Sequence, residues 1–303
     1  MGTPDFSVPS LKTLLSFSGM DVKGVFTQPD RPKGRGNKMF PSPVKAAALE
    51  AGVPVFQPEK IRKDGVSILK ELQPDLCVTA AFGQILSREI LDIPPLGNIN
   101  VHASLLPKHR GSSPIAHAIM AGDRITGVTT MIMDEGIDTG DMLLSEATEI
   151  GEKETCEELT ERLSLLGAEV LQKTLQAMMN GTLQRIPQNH DEMTYDPMLT
   201  KEMGKIDFRL SSDQVKGIIN GLNPWPCASI LCKEGNLKLL RAVCTDESGY
   251  PGTVLSANPR EGLIIACGER SVRILELQAP GGKRMRAEEY LRGHDFVMER
   301  EIG

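Results

Sequence analysis

Aromatic side chains are scarce in this sequence: phenylalanine, tyrosine and tryptophan together make up 4%, with a single tryptophan. Any core must therefore be filled by aliphatic residues and by the 14 methionines, whose flexible thioethers pack into irregular gaps. Long apolar runs are missing too. None approaches the ~20 residues a bilayer-spanning helix needs. The opening Met1-Gly2-Thr3-Pro4-Asp5 has neither a basic segment nor an apolar one, so no secretory leader is expected and a cytoplasmic location is. The sequon at Asn180-Gly181-Thr182 then carries no weight. No C-x-x-C pair occurs among Cys77, Cys156, Cys227, Cys232, Cys244 and Cys267, and no histidine cluster accompanies them. This spacing argues against a zinc site and a disulfide framework, and for reduced, mostly buried thiols. Two nucleotide signatures are also missing. No G-x-G-x-x-G opens the first domain, which removes a nicotinamide dehydrogenase, and Gly34-Arg35-Gly36-Asn37-Lys38 lacks the spacing of a phosphate-cradling loop.

What is present fits a two-domain globular chain of 303 residues. The net charge of −6 does not advertise a nucleic-acid binder. It is unevenly spread, however. From Gly204 onward 14 Lys and Arg face 13 Asp and Glu, against 20 and 27 before it. The C-terminal part is thus better suited to face phosphates.

The first half alternates strand and helix patterns. Strands are expected at Val22–Thr27, Val53–Phe56, Asp75–Phe82, Asn98–Ala103 and Val128–Met133, and helices at Pro43–Ala51, Val66–Leu72 and Pro114–Ala121. Near-continuous apolar strands such as DLCVTAAF belong to parallel sheets covered on both faces. Thr155 and Glu158 form a capping box before a long helix that Gly181 ends. A polar, irregular stretch follows and reads as a linker. After a helix at Ser211–Leu222, short strands separated by Gly, Pro and Asn turns describe a small β-barrel. The fold expected is therefore α/β, a Rossmann-like, mostly parallel sheet with helices on both faces, followed by a smaller C-terminal, OB-like β-barrel. The boundaries expected are 1–185, a linker at 186–206 and 207–303. One member of the sheet is absent from the pattern. Gly2-Thr3-Pro4 reads as the turn after a first strand and Asp5–Phe17 as the helix that follows, so a segment of about ten residues is expected to be missing ahead of them.

Chemistry-bearing residues are densest between Asn98 and Leu143. Residues two apart on a strand point the same way, so Asn100 and His102 project together from one strand end. Ligands of open α/β sheets bind at the carboxyl ends of strands. Asp138, in the glycine-flanked loop Asp134-Glu135-Gly136-Ile137-Asp138-Thr139-Gly140-Asp141, can reach the same point. An amide and a protonated imidazole can stabilise a developing oxyanion, and a carboxylate can hold the imidazolium and take up a proton. Taken singly, each residue has a blander reading: a structural histidine, a turn asparagine, an Asx turn. The loop spacing does not match a calcium loop, and no metal is expected.

The ordered set N-x-H-x-S-L-L-P, R-G and D-x-G-x-D-T-G resembles the folate-dependent formyltransferases. Three further segments are similar: Gly2-Thr3-Pro4-Asp5-Phe6, the run from Thr27 to Gly36, and Leu222-Asn223-Pro224-Trp225-Pro226. The resemblance covers essentially the whole chain. It implies 10-formyltetrahydrofolate as formyl donor and the amino group of methionyl-initiator tRNA as acceptor; separately, a monomer is expected. It places catalysis on Asn100, His102 and Asp138 and folate contact on Ser104, Leu105, Leu106 and Pro107. The basic loop Pro29–Pro43, with Arg31, Lys33, Arg35 and Lys38 and the apolar pair Met39-Phe40, is of a kind typical of the tRNA-acting members. It is expected to grip RNA phosphates and wedge the acceptor end. Lys233, Lys238, Arg241, Lys283, Arg284 and Arg286 are further candidates for the RNA backbone, and Trp225 is expected to pack between domains. Two rivals remain: a formyl-folate enzyme acting on a small amine such as an amino sugar or purine precursor, and a non-catalytic RNA-binding α/β module.

Overall fold

The computed structural model describes residues 1–33, 38–233 and 235–296. The chain divides into two compact units, one of Met1–Gly111, Gly127–Thr148 and Thr160–Tyr195, the other of Ser112–Thr126, Glu149–Leu159 and Asp196–Gly303.

The chain begins with a 3-10 turn at Asp5–Ser7 and helix α1 (Val8–Ser16). Pro9 sits at the helix start, where its missing N–H is harmless. Then come β1 (Val25–Phe26), β2 (Arg31–Lys33), β3 (Lys38–Phe40), α2 (Pro43–Glu50), β4 (Val55–Phe56), α3 (Val66–Leu72), β5 (Cys77–Thr79), α4 (Arg88–Leu91), β6 (Asn98–His102) and β7 (Arg110–Gly111). After α5 (Pro114–Ala121), which belongs to the second unit, follow β8 (Ile125–Ile132), β9 (Met142–Glu149), α6 (Cys156–Met179) and β10 (Tyr195–Asp196).

Strand β1 pairs in parallel with β4, and β5 with β6. Strands β6 and β8 are antiparallel, with β9 beyond β8. Met1 and Gly2 lie between β1 and the residues of and just after β5. Gly2 N donates to Phe26 O at 2.9 Å, and Ala80 N donates to Met1 O at 2.9 Å. The Met1 amine donates to Val78 O at 2.6 Å. Burial lowers that amine from 8.0 to about 6, against an opposing pull from Cys77, so stability falls as pH drops from 8 toward about 6 and the full cost is in place below that. Met1 and Gly2 thus bond at the place where the pattern lacked a strand.

Adjacent residues on a strand point to opposite faces, and Val25 and Phe26 show the consequence. Val25 joins Leu11, Val44 and Ala48 under α1 and α2. Phe26 joins Ile61, Leu69, Phe82 and Ile90 under α3 and α4. Helices therefore cover both faces, as the apolar strands require. The basic run after β1, expected as a loop, contains a hairpin: Arg31 lies opposite Phe40 and Lys33 opposite Lys38. Asp30 anchors its base, accepting from Lys45 Nζ at 2.6 Å and Gln57 Nε2 at 2.8 Å.

The second unit also contains α7 (Ser212–Gly221), β11 (Ala228–Cys232), β12 (Gly235–Thr245), β13 (Val254–Asn258), β14 (Gly262–Ala266), β15 (Ser271–Gln278), β16 (Arg284–Arg286) and α8 (Ala287–Leu291). The Ser211–Gln214 capping box starts α7. Its Gly217 and Gly221 let α5 approach to backbone contact, since a Cβ there would lie 3.0 Å from Ile119 O and 2.8 Å from Ala116 O. The sheet runs β11-β12-β15-β14-β13, with β16 beside β15. It is a curled antiparallel sheet, a half-barrel, in keeping with the small β-barrel the strand spacing suggested. Irregular register around Leu239–Ala242 bends β12. The freed backbone groups are taken by side chains. Asn220 bonds both N and O of Ala242, at 2.8 and 3.1 Å, and Asn223 donates to Leu240 O at 2.9 Å.

The capping box read from the sequence is present: Thr155 N donates to Glu158 Oε2 at 3.0 Å, and Glu158 N to Thr155 Oγ1 at 3.4 Å. Arg241 donates to the other Glu158 oxygen at 2.6 Å. Partial burial alone would raise the Glu158 carboxyl. The bonds from Arg241 and Thr155 and the Arg241 charge outweigh it and hold the group at about 2. A depressed carboxylate stabilises above its unfolded pKa, here 4.5, and the gain disappears as pH falls toward about 2. The side chain is 43% exposed, so solvent screening keeps the contribution to about 1 kcal/mol. Glu158→Gln should lower unfolding free energy in urea by about that amount at pH 7. The gap from the parent should close as pH falls from 4 toward 2; a gap independent of pH would contradict this account.

Candidate active site

Asn100 and His102 sit at the carboxyl end of β6, and Asp138 lies in the loop between β8 and β9. The structure brings the three together. Asn100 Nδ2 donates to Asp138 Oδ1 at 3.3 Å, leaving its second amide hydrogen for a ligand. His102 Nδ1 lies 3.6 Å from Asp138 Oδ2. That same oxygen accepts from Gly111 N at 2.9 Å. His102 is buried and Asp138 half-buried, so their interaction is little screened.

The imidazole orientation follows from one contact. His102 Nε2 is 2.8 Å from His109 O. A carbonyl oxygen only accepts, so Nε2 carries a hydrogen, and Nδ1 is the nitrogen that faces the carboxylate. His109 and Asp138 both have left-handed backbones, φ +58° and +53°, which non-glycine residues adopt only when held there. The loop around Asp138 is braced from within: Asp134 Oδ1 accepts from Gly136 N at 3.1 Å and Thr139 Oγ1 at 2.6 Å.

The expected folate segment leaves β6 directly. Ser104 and Leu106 are buried, while Leu105 and Pro107 are half-exposed. Ser104 Oγ donates to Lys108 O at 2.7 Å. Thr129 Oγ1 donates to Ser104 O at 2.7 Å and accepts from Leu106 N at 3.2 Å. The segment is therefore fixed to β8, with Leu105 and Pro107 presenting side-chain surface.

Among the expected tRNA-contacting residues, Arg31 is exposed on the hairpin beside Met39 (60% exposed) and Phe40 (49%). Lys33 and Lys38 form the hairpin's last pair. Arg35 lies outside the described residues. In the second unit Arg241 is engaged by Glu158 and Glu276, and Arg284 by Glu157 and Glu276. These two are committed to ion pairs within their unit. Trp225, expected to be packed, is 53% exposed.

The stretch expected as a plain linker holds residues that sequence reasoning missed. Ile186 pairs with Met142 on the β9 edge. Gln188, His190 and Thr194 all bond to Arg110 or to the residues around Asp138 and His109. Their only signal in the sequence is a cluster of hydrogen-bonding side chains without periodicity.

An amide donor, an oriented imidazole and a carboxylate at the end of a Rossmann-like strand suit transfer of an acyl group to an amine. A family model described as "Formyl transferase" matches residues 2–175, and "Formyl transferase, C-terminal domain" matches 198–295. The chain belongs to the formyl transferase family. Within it, curated relatives are methionyl-tRNA formyltransferases. That of Acetivibrio thermocellus is 47% identical over 298 residues, covering 97% of this chain and 95% of its own. That of Geobacter metallireducens is 47% identical over 294 residues, covering 97% and 94%. Among solved structures, the sugar 3N-formyl transferase WlaRD, determined in the presence of dTDP and 5-N-formyl-THF, superposes with a TM-score of 0.68 at 19% identity, covering 90% of this chain and 95% of that one. This last likeness concerns the fold alone. No helix among the described residues is long and apolar enough to cross a membrane.

Proposed function

We propose that this enzyme transfers the formyl group of 10-formyltetrahydrofolate to the amino group of methionyl-initiator tRNA, yielding the N-formylated aminoacyl-tRNA used to start translation. The observation that carries the reading is the meeting of Asn100, His102 and Asp138 at one strand end. It is supported by near-full-length relatives of that activity.

The amine nitrogen attacks the formyl carbon, forming the new C–N bond and placing negative charge on the formyl oxygen. The free amide hydrogen of Asn100 donates to that oxygen, and His102, as an imidazolium facing Asp138, stabilises it by its charge, its Nε2 hydrogen staying on His109 O. Asp138 faces the imidazole and, directly or through water, takes up the proton released by the amine. The bond from the formyl carbon to the folate nitrogen then breaks, and that nitrogen takes up a proton. No protein nucleophile is needed. Ser104, Leu105, Leu106 and Pro107 hold the folate. Arg31, Lys33, Arg35 and Lys38 contact tRNA phosphates, with Met39 and Phe40 offering an apolar wedge. Residues 1–185 form the catalytic part, 186–206 the connection and 207–303 a part that faces the tRNA backbone. The enzyme acts as a monomer in the cytoplasm.

The test is a formylation assay with 10-formyltetrahydrofolate, comparing charged initiator tRNA, free methionine and small amines. Transfer to the charged tRNA alone is expected. Transfer to small amines with none to tRNA would replace this reading with the amino-sugar or purine-precursor rival. No transfer to any acceptor would favour the non-catalytic RNA-binding one.

A further inference from the structure

Left-handed backbones at His109 and Asp138 need something to hold them, and both are held from the same stretch of chain. Gln188 Nε2 donates to Asp138 O at 2.9 Å and to Gly140 O at 2.7 Å. Its Oε1 accepts from Arg110 Nε at 3.0 Å and from the Arg110 terminal nitrogen Nη2 at 2.7 Å. Arginine donates only, so the amide cannot be flipped: Oε1 must face Arg110 and Nε2 must face the two carbonyls. His190 Nδ1 accepts from the same guanidinium at 3.2 Å. Further along, Thr194 Oγ1 accepts from His109 N at 2.7 Å, and Thr194 O accepts from Arg110 N at 2.9 Å. Between these two anchors lie the groups that set the catalytic geometry. His109 O fixes the His102 ring, and Gly111 N binds the Asp138 carboxylate.

Resting on the formyl-transfer reading above, we propose that Ile186–Tyr195 is a strap belonging to the catalytic apparatus, with Gln188 and Thr194 as positioning residues. Gln188 sets the backbone from which Asp138 projects. Thr194 sets the peptide whose carbonyl selects the hydrogen-bearing nitrogen of His102. Neither touches the reacting atoms. Their partners are 50 and 85 residues away in sequence, which is why the stretch reads as featureless.

The experiment uses the full chain carrying Gln188→Ala, Gln188→Glu, Thr194→Val or Thr194→Ser. The Gln188→Glu change is not neutral. It keeps the size and the Arg110 partner but sets an acceptor against two carbonyl oxygens, so the chain stays folded and the loop loses its clamp. A displacement of about 1 Å at reacting groups lowers rates by up to ~10^2. Both Gln188 variants are therefore expected to lose about 10- to 100-fold in kcat, with KM for tRNA and folate within about threefold. Thr194→Val should lose about tenfold and Thr194→Ser, which retains the hydroxyl, should recover to within about threefold. The ¹⁵N spectrum of the histidine rings gives a readout independent of substrate. The His102 signals, identified through His102→Asn, should move in Gln188→Glu and Thr194→Val, while those of His117 and His294 stay. Parent-like kcat together with an unmoved His102 signal overturns the strap. A parent chain inactive on charged tRNA whose His102 signal still moves in the variants overturns the substrate reading and leaves the strap standing.

Discussion

Alanine in place of His102 should lower kcat for formyl transfer by about 10^2- to 10^4-fold, the range that a positioned acid–base group supplies. The side chain is buried and bonded to His109 O, and losing one such bond costs only about 1 kcal/mol of stability. Rate and stability should therefore separate cleanly, with the thermal midpoint moving by a few degrees. For the carboxylate the informative change is Asp138→Asn rather than Ala. Asparagine tolerates the left-handed backbone at this position, so the charge is removed without adding strain. Its amide cannot accept a proton, and one of its two side-chain positions becomes a donor where Gly111 N now donates to Oδ2. A rate loss similar to that of His102→Ala is expected. Single-turnover formylation with charged tRNA at saturating folate, beside thermal unfolding of each variant, provides the comparison. Near-parent rates in either variant would remove that residue from the chemistry.

A large effect on folding is expected at Gly127. It lies on β8, where an added Cβ would fall 2.1 Å from Glu146 O and 2.6 Å from Leu105 Cδ2. The first neighbour is backbone of β9, which cannot swing aside as a side-chain tip can. Gly127→Ala must therefore separate β8 from β9 or deform both, at about 4 kcal/mol. The apparent thermal midpoint should fall by about 10 °C, and Leu105 should shift with it. Gly122→Ala is the natural control for a lost glycine outside the sheet, because a Cβ there meets nothing within 4 Å and only its left-handed backbone opposes the change. If the two variants unfolded alike, crowding at Gly127 would not be the cause.

How much of this was legible beforehand depends on the range over which each feature is encoded. The strand NINVH carries its own period, so the shared direction of Asn100 and His102 could be read from residues two apart. Asp138 was legible through the glycines around it. The long helix was legible from Thr155 and Glu158, whose bonds span three residues. The hairpin of β2 and β3 was not, because Pro32 and the neighbouring glycines are depleted in strands, and what supports it is Asp30 reaching Lys45 and Gln57. The residues that bend the C-terminal sheet were hidden for a related reason. A bend at Leu239–Ala242 depends on Asn220 and Asn223 about twenty residues away, and an asparagine in or just after a helix signals nothing of its partner. The strap is the extreme case, aperiodic and anchored over long range.

The bend in β12 has a consequence for exchange with solvent. The Ala242 amide donates to the buried Asn220 side chain at 2.8 Å. Sealed there, its hydrogen should be replaced by deuterium as slowly as those of the regular ladder beside it.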